Sequence, residues 1–403
     1  MSICRAYRAT TAALVAATIF AGPCLAQKKY DPGASDTEIK LGQTMPFSGP
    51  LSVFGTIGRA EAAYFAKLNA AGGINGRKIN LLSLDDGYAP PRTVEQTRKL
   101  IEQDEVLALF SPVGTPTNVA IQRYVNAKKV PHLFLQTGAS RWGDPQQFRW
   151  TMGWVPSYRQ EGGIYAKYIL KNYPQAKIAV LYQNDDFGKD FLKGFQEGLG
   201  DRTKMIVATA TYEPTDPTVD SQITTLQGSG ADTFFDIAAP KAAAQAIRKA
   251  YEIGWRPLHF LQSVAASIAS TIKPAGLERA VGVISSAHYK DPNDPQWAND
   301  PALLAYLAWM KAYYPAGDAN DVYNVWGYSQ AQTMEQVLRQ CGDELTRENV
   351  IKQAANLKEL QLPMLLPGIK INTSPTDYFP IEQVQLMKFD GKQWVRFGEI
   401  MGR

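Results

Sequence analysis

Short apolar runs and amphipathic stretches alternate along most of the chain. The run from Ile39 to Thr44 is mostly apolar and predicts a buried strand, which is followed by Pro46 and the loop Ser48-Gly49-Pro50. From Gly58 to Ala70, small and apolar residues recur at helical spacing and predict a helix with one buried face. A buried strand therefore leads through a Gly/Pro loop into a helix. In open α/β sheets, ligands bind at such carboxyl ends of strands.

The same order of strand, loop and helix recurs, which predicts an α/β fold of parallel strands with right-handed crossovers. In the first half, further strands are expected at 78–84, 106–110 and 131–135, each followed by a loop that contains glycine. A second series begins after Trp154, with strands expected at 178–182, 205–210, 233–238, 259–262 and 280–285. Two α/β units therefore follow one another along the chain.

The C-terminal part has a different pattern. Long amphipathic helices are expected at 300–314 and 327–341, and a shorter one at 347–356. Apolar alternation at 382–389 and 393–397 flanks Asp390-Gly391, which is typical of a β-hairpin turn.

The N-terminal residues predict a cleaved secretory signal peptide over 1–26. Arg5 and Arg8 precede a small, apolar stretch, and Cys24-Leu25-Ala26 offers small residues for cleavage. Pro23 directly before Cys24 argues against a lipid anchor on that cysteine. Since no later stretch is apolar enough to span a bilayer, we expect a mature protein that is not membrane-embedded and is located in the periplasm.

Charge and cysteine content exclude several classes of function. The formal net charge is +4 and falls to about +2 without the leader, and no Lys/Arg cluster indicates a nucleic-acid partner. Cys341 is the only cysteine after the expected leader, so no internal disulfide is expected.

The sequence carries few signs of catalysis, and we expect no enzyme, no metal and no cofactor. Its three histidines lack HExxH spacing, and CxxC, P-loop, GxGxxG and GxSxG patterns are missing. Ser270 and Lys273 match S-x-x-K without the partner KTG motif. The pairs Asp85-Asp86 and Asp185-Asp186 follow strands, where loop and helix capping explains them better than an acid/base dyad or a metal site.

Two long runs carry a family resemblance. The segments MPFSGPLSVFG and LNAAGGINGRKINLLSLDDGYAPPRTVEQTRKLI resemble the branched-chain amino-acid-binding protein family, the type I periplasmic solute receptors of ABC importers. The resemblance implies two Rossmann-like lobes joined by three crossing strands, which close like a Venus flytrap. It places lobe 1 at 28–152 plus 284–380 and lobe 2 at 153–283 plus 381–403. Many relatives have a disulfide in the first lobe, which this chain lacks.

The resemblance also implies the ligand-binding residues. Thr115, Thr137, Gly138 and Ser140 match positions whose hydroxyl or backbone N–H groups hold a ligand carboxylate, although N-capping of two helices would explain them too. Phe54 and Phe187 match aromatic positions, one on each lobe, although plain core packing would explain them too. The full expected set is Phe54, Thr115, Thr137, Gly138, Ala139, Ser140, Trp154, Phe187, Ala238 and Ser263.

The absence of two residue types that are common in amino-acid binders bears on the class of ligand. Amino-acid binders of this family hold the ammonium group with an acid after the strand that here reads 259–262, but 263–267 contain no acid. Ala238 stands where a tyrosine is common, and we expect Asp236 to point away or to make a structural bond. These features favour a carboxylate with an apolar or aromatic body and no α-amino group.

Several alternatives remain open at the level of sequence. An amino-acid or amide ligand is the nearest of them. An α/β enzyme without a recognisable motif is another, and so is a periplasmic sensor subunit. As a component of an ABC importer, the protein is expected to bind a small-molecule ligand and to contact ABC permease and ATPase subunits.

Overall fold

The computed structural model describes residues 28–402, so the expected signal peptide, with Cys24, lies outside the described residues. The strands are β1 (Lys29–Tyr30), β2 (Glu38–Met45), β3 (Lys78–Asp85), β4 (Ala108–Phe110), β5 (His132–Leu135), β6 (Thr151–Gly153), β7 (Ile178–Gln183), β8 (Ile206–Tyr212), β9 (Thr233–Ile237), β10 (Leu258–Leu261), β11 (Ile284–Ala287), β12 (Glu344–Leu345), β13 (Gln383–Phe389) and β14 (Trp394–Gly402).

The α-helices follow the strands in the predicted alternation. They are α1 (Gly55–Ala70), α2 (Pro90–Glu102), α3 (Thr115–Ala127), α4 (Tyr158–Asn172), α5 (Asp186–Leu199), α6 (Asp220–Gly228), α7 (Pro240–Glu252), α8 (Lys273–Ala275), α9 (Pro301–Tyr313), α10 (Val322–Cys341) and α11 (Arg347–Ala354). Among these described helices, none combines the length and the apolar character that a membrane crossing requires.

Two sheets form the two predicted lobes. The first is five-stranded and wholly parallel, in the order β3-β2-β4-β5-β6. The second is seven-stranded, in the order β14-β13-β11-β10-β9-β7-β8. Its last two strands form the predicted hairpin, which pairs antiparallel with β11. The α/β architecture that the sequence predicts is confirmed.

The chain passes between the sheets three times, after β6, after β11 and before β13. Because β11 pairs with β10 and β13 in the second sheet, the second passage follows Ala287. The boundary expected from the sequence, between 283 and 284, would lie at the start of β11. The structure places the whole of β11 in the second sheet. The two-residue strands β1 and β12 pair with each other and tie the beginning of the described chain to its later part.

Helix α10 belongs to the returning segment and packs against α1 of the first lobe. At Gly327 the two backbones come so close that an added Cβ would lie 2.5 Å from the carbonyl oxygen of Ile57. Only glycine allows that approach without a shift of the backbone. The close packing fixes the position of Trp326, one residue earlier, which is 1% exposed.

Candidate functional site between the lobes

The carboxyl ends of the parallel strands of both lobes face a cavity of about 30 Å³. Small-molecule sites usually have about 300–1,000 Å³, so a ligand of that size requires the lobes to separate further than they do here. The first lobe and its returning helix contribute Leu51, Phe54, Tyr88, Val113, Gly114, Thr115, Gln136 and Trp326 to its wall, and the second lobe contributes Tyr158, Gln183, Phe187, Ala239 and Val264.

Helix α3 begins at the cavity. Gly114 is its N-cap residue and supplies no side-chain cap, so the first-turn N–H groups have no capping side chain in the described chain. The hydroxyl of Thr115 lies 2.6 Å from the hydroxyl of Thr137, at the end of the neighbouring strand. The positive end of the helix dipole and fixed N–H donors favour a polar or anionic group at this place.

Tyr88 projects into the same region from the loop after β3. Its backbone has a φ of 59°, and its ring packs on Gly114, where an added Cβ would lie 2.4 Å from Tyr88 Cε2. Gly114 itself has a φ of 99°. Both the left-handed backbone and the close ring therefore require glycine at this position. Burial raises the pKa of the Tyr88 hydroxyl well above its ordinary value, so the hydroxyl stays neutral.

Ser140 makes its bonds to the other lobe. Its N–H and its hydroxyl donate to the two carboxylate oxygens of Asp190 on α5, at 2.7 and 2.6 Å. The sequence predicts that these donors hold a ligand carboxylate, whereas in the structure they hold a carboxylate of the protein itself. Burial raises the pKa of Asp190, although the bonds from Ser140 oppose that shift.

In the second lobe, α5 begins beside the cavity and presents Phe187. Asp185 caps this helix by accepting the N–H groups of Phe187 and Gly188, at 3.0 and 3.2 Å. Gln183 is satisfied by neighbours, since its oxygen accepts the Tyr212 hydroxyl at 2.9 Å and its nitrogen donates to Asp185. Asp185, the acid at the start of α5, is therefore engaged in capping that helix.

At two places in the second lobe, the residue that follows the predicted one lines the cavity. Ala239 and Val264 line the cavity instead of Ala238 and Ser263. The hydroxyl and N–H of Ser263 both donate at 2.7 Å to the buried Glu161, whose pKa is raised by burial. Ser263 and Val264 lie in the short 3₁₀ helix Ser263–Ala265, where consecutive side chains point in different directions, so an error of one residue changes which side chain faces the cavity.

The remaining predicted residues lie around the cavity rather than on its wall. The indole N–H of Trp154 donates to Thr333 at 3.1 Å within the core. The carbonyl oxygen of Gly138 accepts the N–H of Tyr158 at 2.8 Å, and Ala139 is 2% exposed. Of the ten predicted residues, Phe54, Thr115 and Phe187 line the cavity.

Several wall residues were not singled out by the sequence. Gln136 directly follows a predicted strand and Tyr88 lies in the loop after another, so their positions were a usable signal. Trp326 comes from α10, and no local pattern connects that helix to the cavity. Gln136 has neither its amide oxygen nor its amide nitrogen bonded within the described chain, although it is only 6% exposed.

The motifs weighed as possible catalytic signals make structural contacts. The Ser270 hydroxyl donates to Asp321 at 2.7 Å. Asp85 accepts bonds from the loop at Ser48, and Asp86 accepts the Thr93 hydroxyl at 2.8 Å. Asp236 lies 3.4 Å from His259 Nε2 and outside the cavity wall. Within residues 28–402, no three His, Cys, Asp or Glu side chains are grouped so that they could hold a metal ion.

Two α/β lobes that enclose a cavity at their strand ends define the class of two-lobed binding proteins. Residues 38–393 match the model of a family described as periplasmic binding protein, and the chain belongs to that family. This result confirms the family resemblance found in the sequence.

Curated relatives are distant. The Leu/Ile/Val-binding protein homolog 7 of Brucella suis biovar 1 is 24% identical over 238 residues, which are 55% of this chain and 58% of that protein. The chain thus spans little more than half the length of that relative. The Leu/Ile/Val-binding protein homolog 1 of the same organism is 23% identical over 82% of this chain and 86% of its own length.

Solved structures share the fold at low sequence identity. A branched-chain amino acid ABC transporter protein from Thermus thermophilus with bound valine superposes with a TM-score of 0.83 at 15% identity, over 92% of this chain and 98% of the other. A fatty acid ABC transporter substrate-binding protein from Thermomonospora curvata gives 0.77 at 21% identity, over 93% and 95%. These likenesses establish the type I periplasmic binding protein fold.

Proposed function

We propose that this protein is the periplasmic substrate-binding component of an ABC importer and captures a small carboxylate with an apolar or aromatic body. The ligand is not an α-amino acid, and the closed protein delivers it to permease and ATPase subunits. The observation that carries this proposal is the cavity wall, whose described residues include no charged side chain. Phe54, Tyr88, Tyr158, Phe187 and Trp326 make that wall largely aromatic.

An ammonium group would be poorly accommodated in this cavity. A buried cation without a carboxylate partner is costly. The nearby carboxylates of Asp185 and Glu161 already accept bonds from a helix end and from Ser263. An α-amino acid would therefore bury its ammonium group against neutral walls.

A carboxylate can instead be held by neutral donors. The N-terminal end of α3 offers N–H groups at the N-cap residue Gly114 and at Thr115, and the helix dipole adds a favourable potential. Fixed backbone donors replace the water around an anion without the entropy cost of ordering a long charged side chain. The aromatic walls would surround the remainder of the ligand.

Amino-acid binding is the second candidate, because the names of the relatives favour it. Homologues from Brucella carry the name Leu/Ile/Val-binding protein, and the neighbour from Thermus thermophilus holds valine. The neighbour from Thermomonospora curvata is named for fatty acids, so this fold accommodates both classes.

Competition calorimetry separates the two candidates. The ligands are leucine, phenylalanine, benzoate and a medium-length fatty acid, each titrated into the full mature protein. We expect binding of a carboxylate that lacks the amino group and a weaker response to both amino acids. Tight binding of leucine or phenylalanine, with no response to the other acids, would refute the proposal.

A further inference from the structure

The side chain of Gln136 on the cavity wall has no hydrogen-bond partner within the described residues. Its backbone N–H donates to the carbonyl oxygen of Pro112 at 3.1 Å, and the residue forms a parallel β-bridge with Val113. Its position is therefore fixed by the sheet. Its amide oxygen and nitrogen are both buried, and neither has a partner in the described chain. Buried polar groups in proteins are nearly always bonded, so an open amide on a cavity wall calls for a partner.

The comparison with Gln183, on the opposite lobe, sharpens this point. Tyr212 and Asp185 bond the oxygen and the nitrogen of the Gln183 amide, which is thereby held as part of the wall. The indole N–H of Trp326, also on the wall, has no partner within the described residues. The open polar atoms among these three wall residues therefore belong to the first lobe and its returning helix α10.

The chemistry of a carboxamide restricts what can satisfy Gln136. Its nitrogen donates and its oxygen accepts, and the amide can turn over because no neighbour fixes its orientation. A carboxylate only accepts, so alone it leaves the Gln136 oxygen unbonded. A hydroxyl next to that carboxylate would donate to the oxygen. An ammonium group would donate as well, but it brings a charge that no carboxylate on this wall balances.

We infer that Gln136 selects a hydroxy acid, in which a hydroxyl on the carbon beside the carboxylate pairs with the Gln136 oxygen. The inference rests on the proposed function and narrows it to 2-hydroxy acids with an apolar or aromatic body. The carboxylate lies at the first turn of α3 and accepts from the Gln136 nitrogen. The Trp326 N–H is a further donor for the same polar end.

The test uses two sets of ligands, and within each set the three compounds share one carbon skeleton. Full-length mature protein is titrated calorimetrically with 3-phenylpropanoate, 3-phenyllactate and phenylalanine, and with 4-methylpentanoate, its 2-hydroxy derivative and leucine. We expect the hydroxy acid of at least one set to bind about tenfold or more tightly than the acid without the hydroxyl, because a site with an unpaired polar group rejects the analogue that cannot pair it.

The variant Gln136→Leu removes the amide and keeps an apolar side chain of similar size. We expect it to bind the hydroxy acid and its analogue equally, and to unfold at the same temperature as the wild type or higher, since no internal hydrogen bond is lost. Gln353→Leu is the matched control. It makes the same change on α11, where the amide donates to Asn349 at 3.1 Å, away from the cavity, and should keep the preference.

The outcomes separate this inference from the proposed function. Equal binding of both acids by the wild type, or a preference that survives in Gln136→Leu, would refute the role of Gln136 and leave carboxylate binding intact. Binding of phenylalanine or leucine alone would refute the proposed function. Failure of all six compounds to bind would contradict both.

Discussion

Asp190 of the second lobe accepts both donors of Ser140 of the first, its hydroxyl at 2.6 Å and its N–H at 2.7 Å. Ser140 begins the short 3₁₀ helix Ser140–Gly143 after β5, and Asp190 lies one turn into α5. The pair joins the lobes beside the cavity, so it can form only when the lobes are close together. It therefore stabilises the closed state that a ligand contacting both lobes also favours.

The first prediction concerns this pair. Replacing either Ser140 or Asp190 with Ala should weaken ligand binding by up to roughly 3 kcal/mol, because each change removes a hydrogen bond to a charged group that stabilises the closed state. In the double variant the Ser140 change should add nothing further. Calorimetric affinities in a double-mutant cycle measure this coupling. The exposed Asp201→Ala variant is the control. A full Ser140 effect in the Asp190→Ala background would show that Ser140 contacts the ligand directly.

A second prediction concerns domain closure. The cavity wall contains residues from both lobes, so saturating ligand should draw the lobes together and reduce the radius of gyration. Small-angle X-ray scattering with and without ligand measures this change. Asp190→Ala should be at least as extended as the wild type without ligand. An identical radius at saturation in the wild type would rule out closure by ligand.

A third prediction concerns Gly114. Alanine at this position would require a φ of 99° and would place Cβ 2.4 Å from the Tyr88 ring. We expect Gly114→Ala to lose roughly 1–3 kcal/mol of stability from backbone strain and to bind ligand poorly, because Tyr88 and the start of α3 must move. Thermal unfolding and calorimetry report the two effects.

The control for Gly114 is Gly163, in the interior of α4. Its nearest neighbour to an added Cβ is a carbonyl oxygen at 3.7 Å, which is an ordinary contact. Gly163→Ala should therefore stabilise the protein by about 0.5–1 kcal/mol, since alanine favours the helix. Equal stability changes in the two variants would contradict the assigned role of Gly114.

The fourth prediction concerns pH. Burial lowers the pKa of His132 and of His288 from 6.5 to about 3, so both rings stay neutral in the folded protein and gain protons on unfolding below pH 6.5. Each should therefore reduce the free energy of unfolding by roughly 1.4 kcal/mol per pH unit as the pH falls below 6.5. This stability is present above pH 6.5 and is lost progressively toward pH 3.

Replacement of His288 by Phe removes one of these groups. Between pH 7.5 and pH 5, the stability lost by His288→Phe should be about 2 kcal/mol smaller than the loss in the wild type, as measured by denaturant unfolding. His132→Phe should show the same gain against acid but should be less stable at pH 7.5. The reason is that His132 Nε2 bonds Asn118 at 2.8 Å, whereas His288 has no ring-nitrogen partner in the described chain. An unchanged pH dependence in His288→Phe would contradict the prediction.

The outcome at Ala238 and Ser263 shows the limit of prediction from strand ends. The sequence placed the ends of β9 and β10 at 238 and 262, one residue beyond their observed ends, and the wall residues are Ala239 and Val264. Where a strand passes into a loop, the backbone turns, and which neighbour faces the cavity depends on local dihedral angles. Those angles are set by bonds such as that between the Gln262 amide and the carbonyl oxygen of Ala238, at 2.8 Å.

The sequence by itself determined the two consecutive α/β units, the C-terminal hairpin and the loops at the strand ends, because these follow from the local period of apolar residues and from turn chemistry. Only the tertiary structure decided how Ser140 is used and that Trp326 reaches the cavity wall. The partners of both lie far along the chain, and such contacts depend on how lobes and returning helices pack. The open amide of Gln136 likewise became visible only in the structure, since a missing hydrogen bond is a property of all its spatial neighbours.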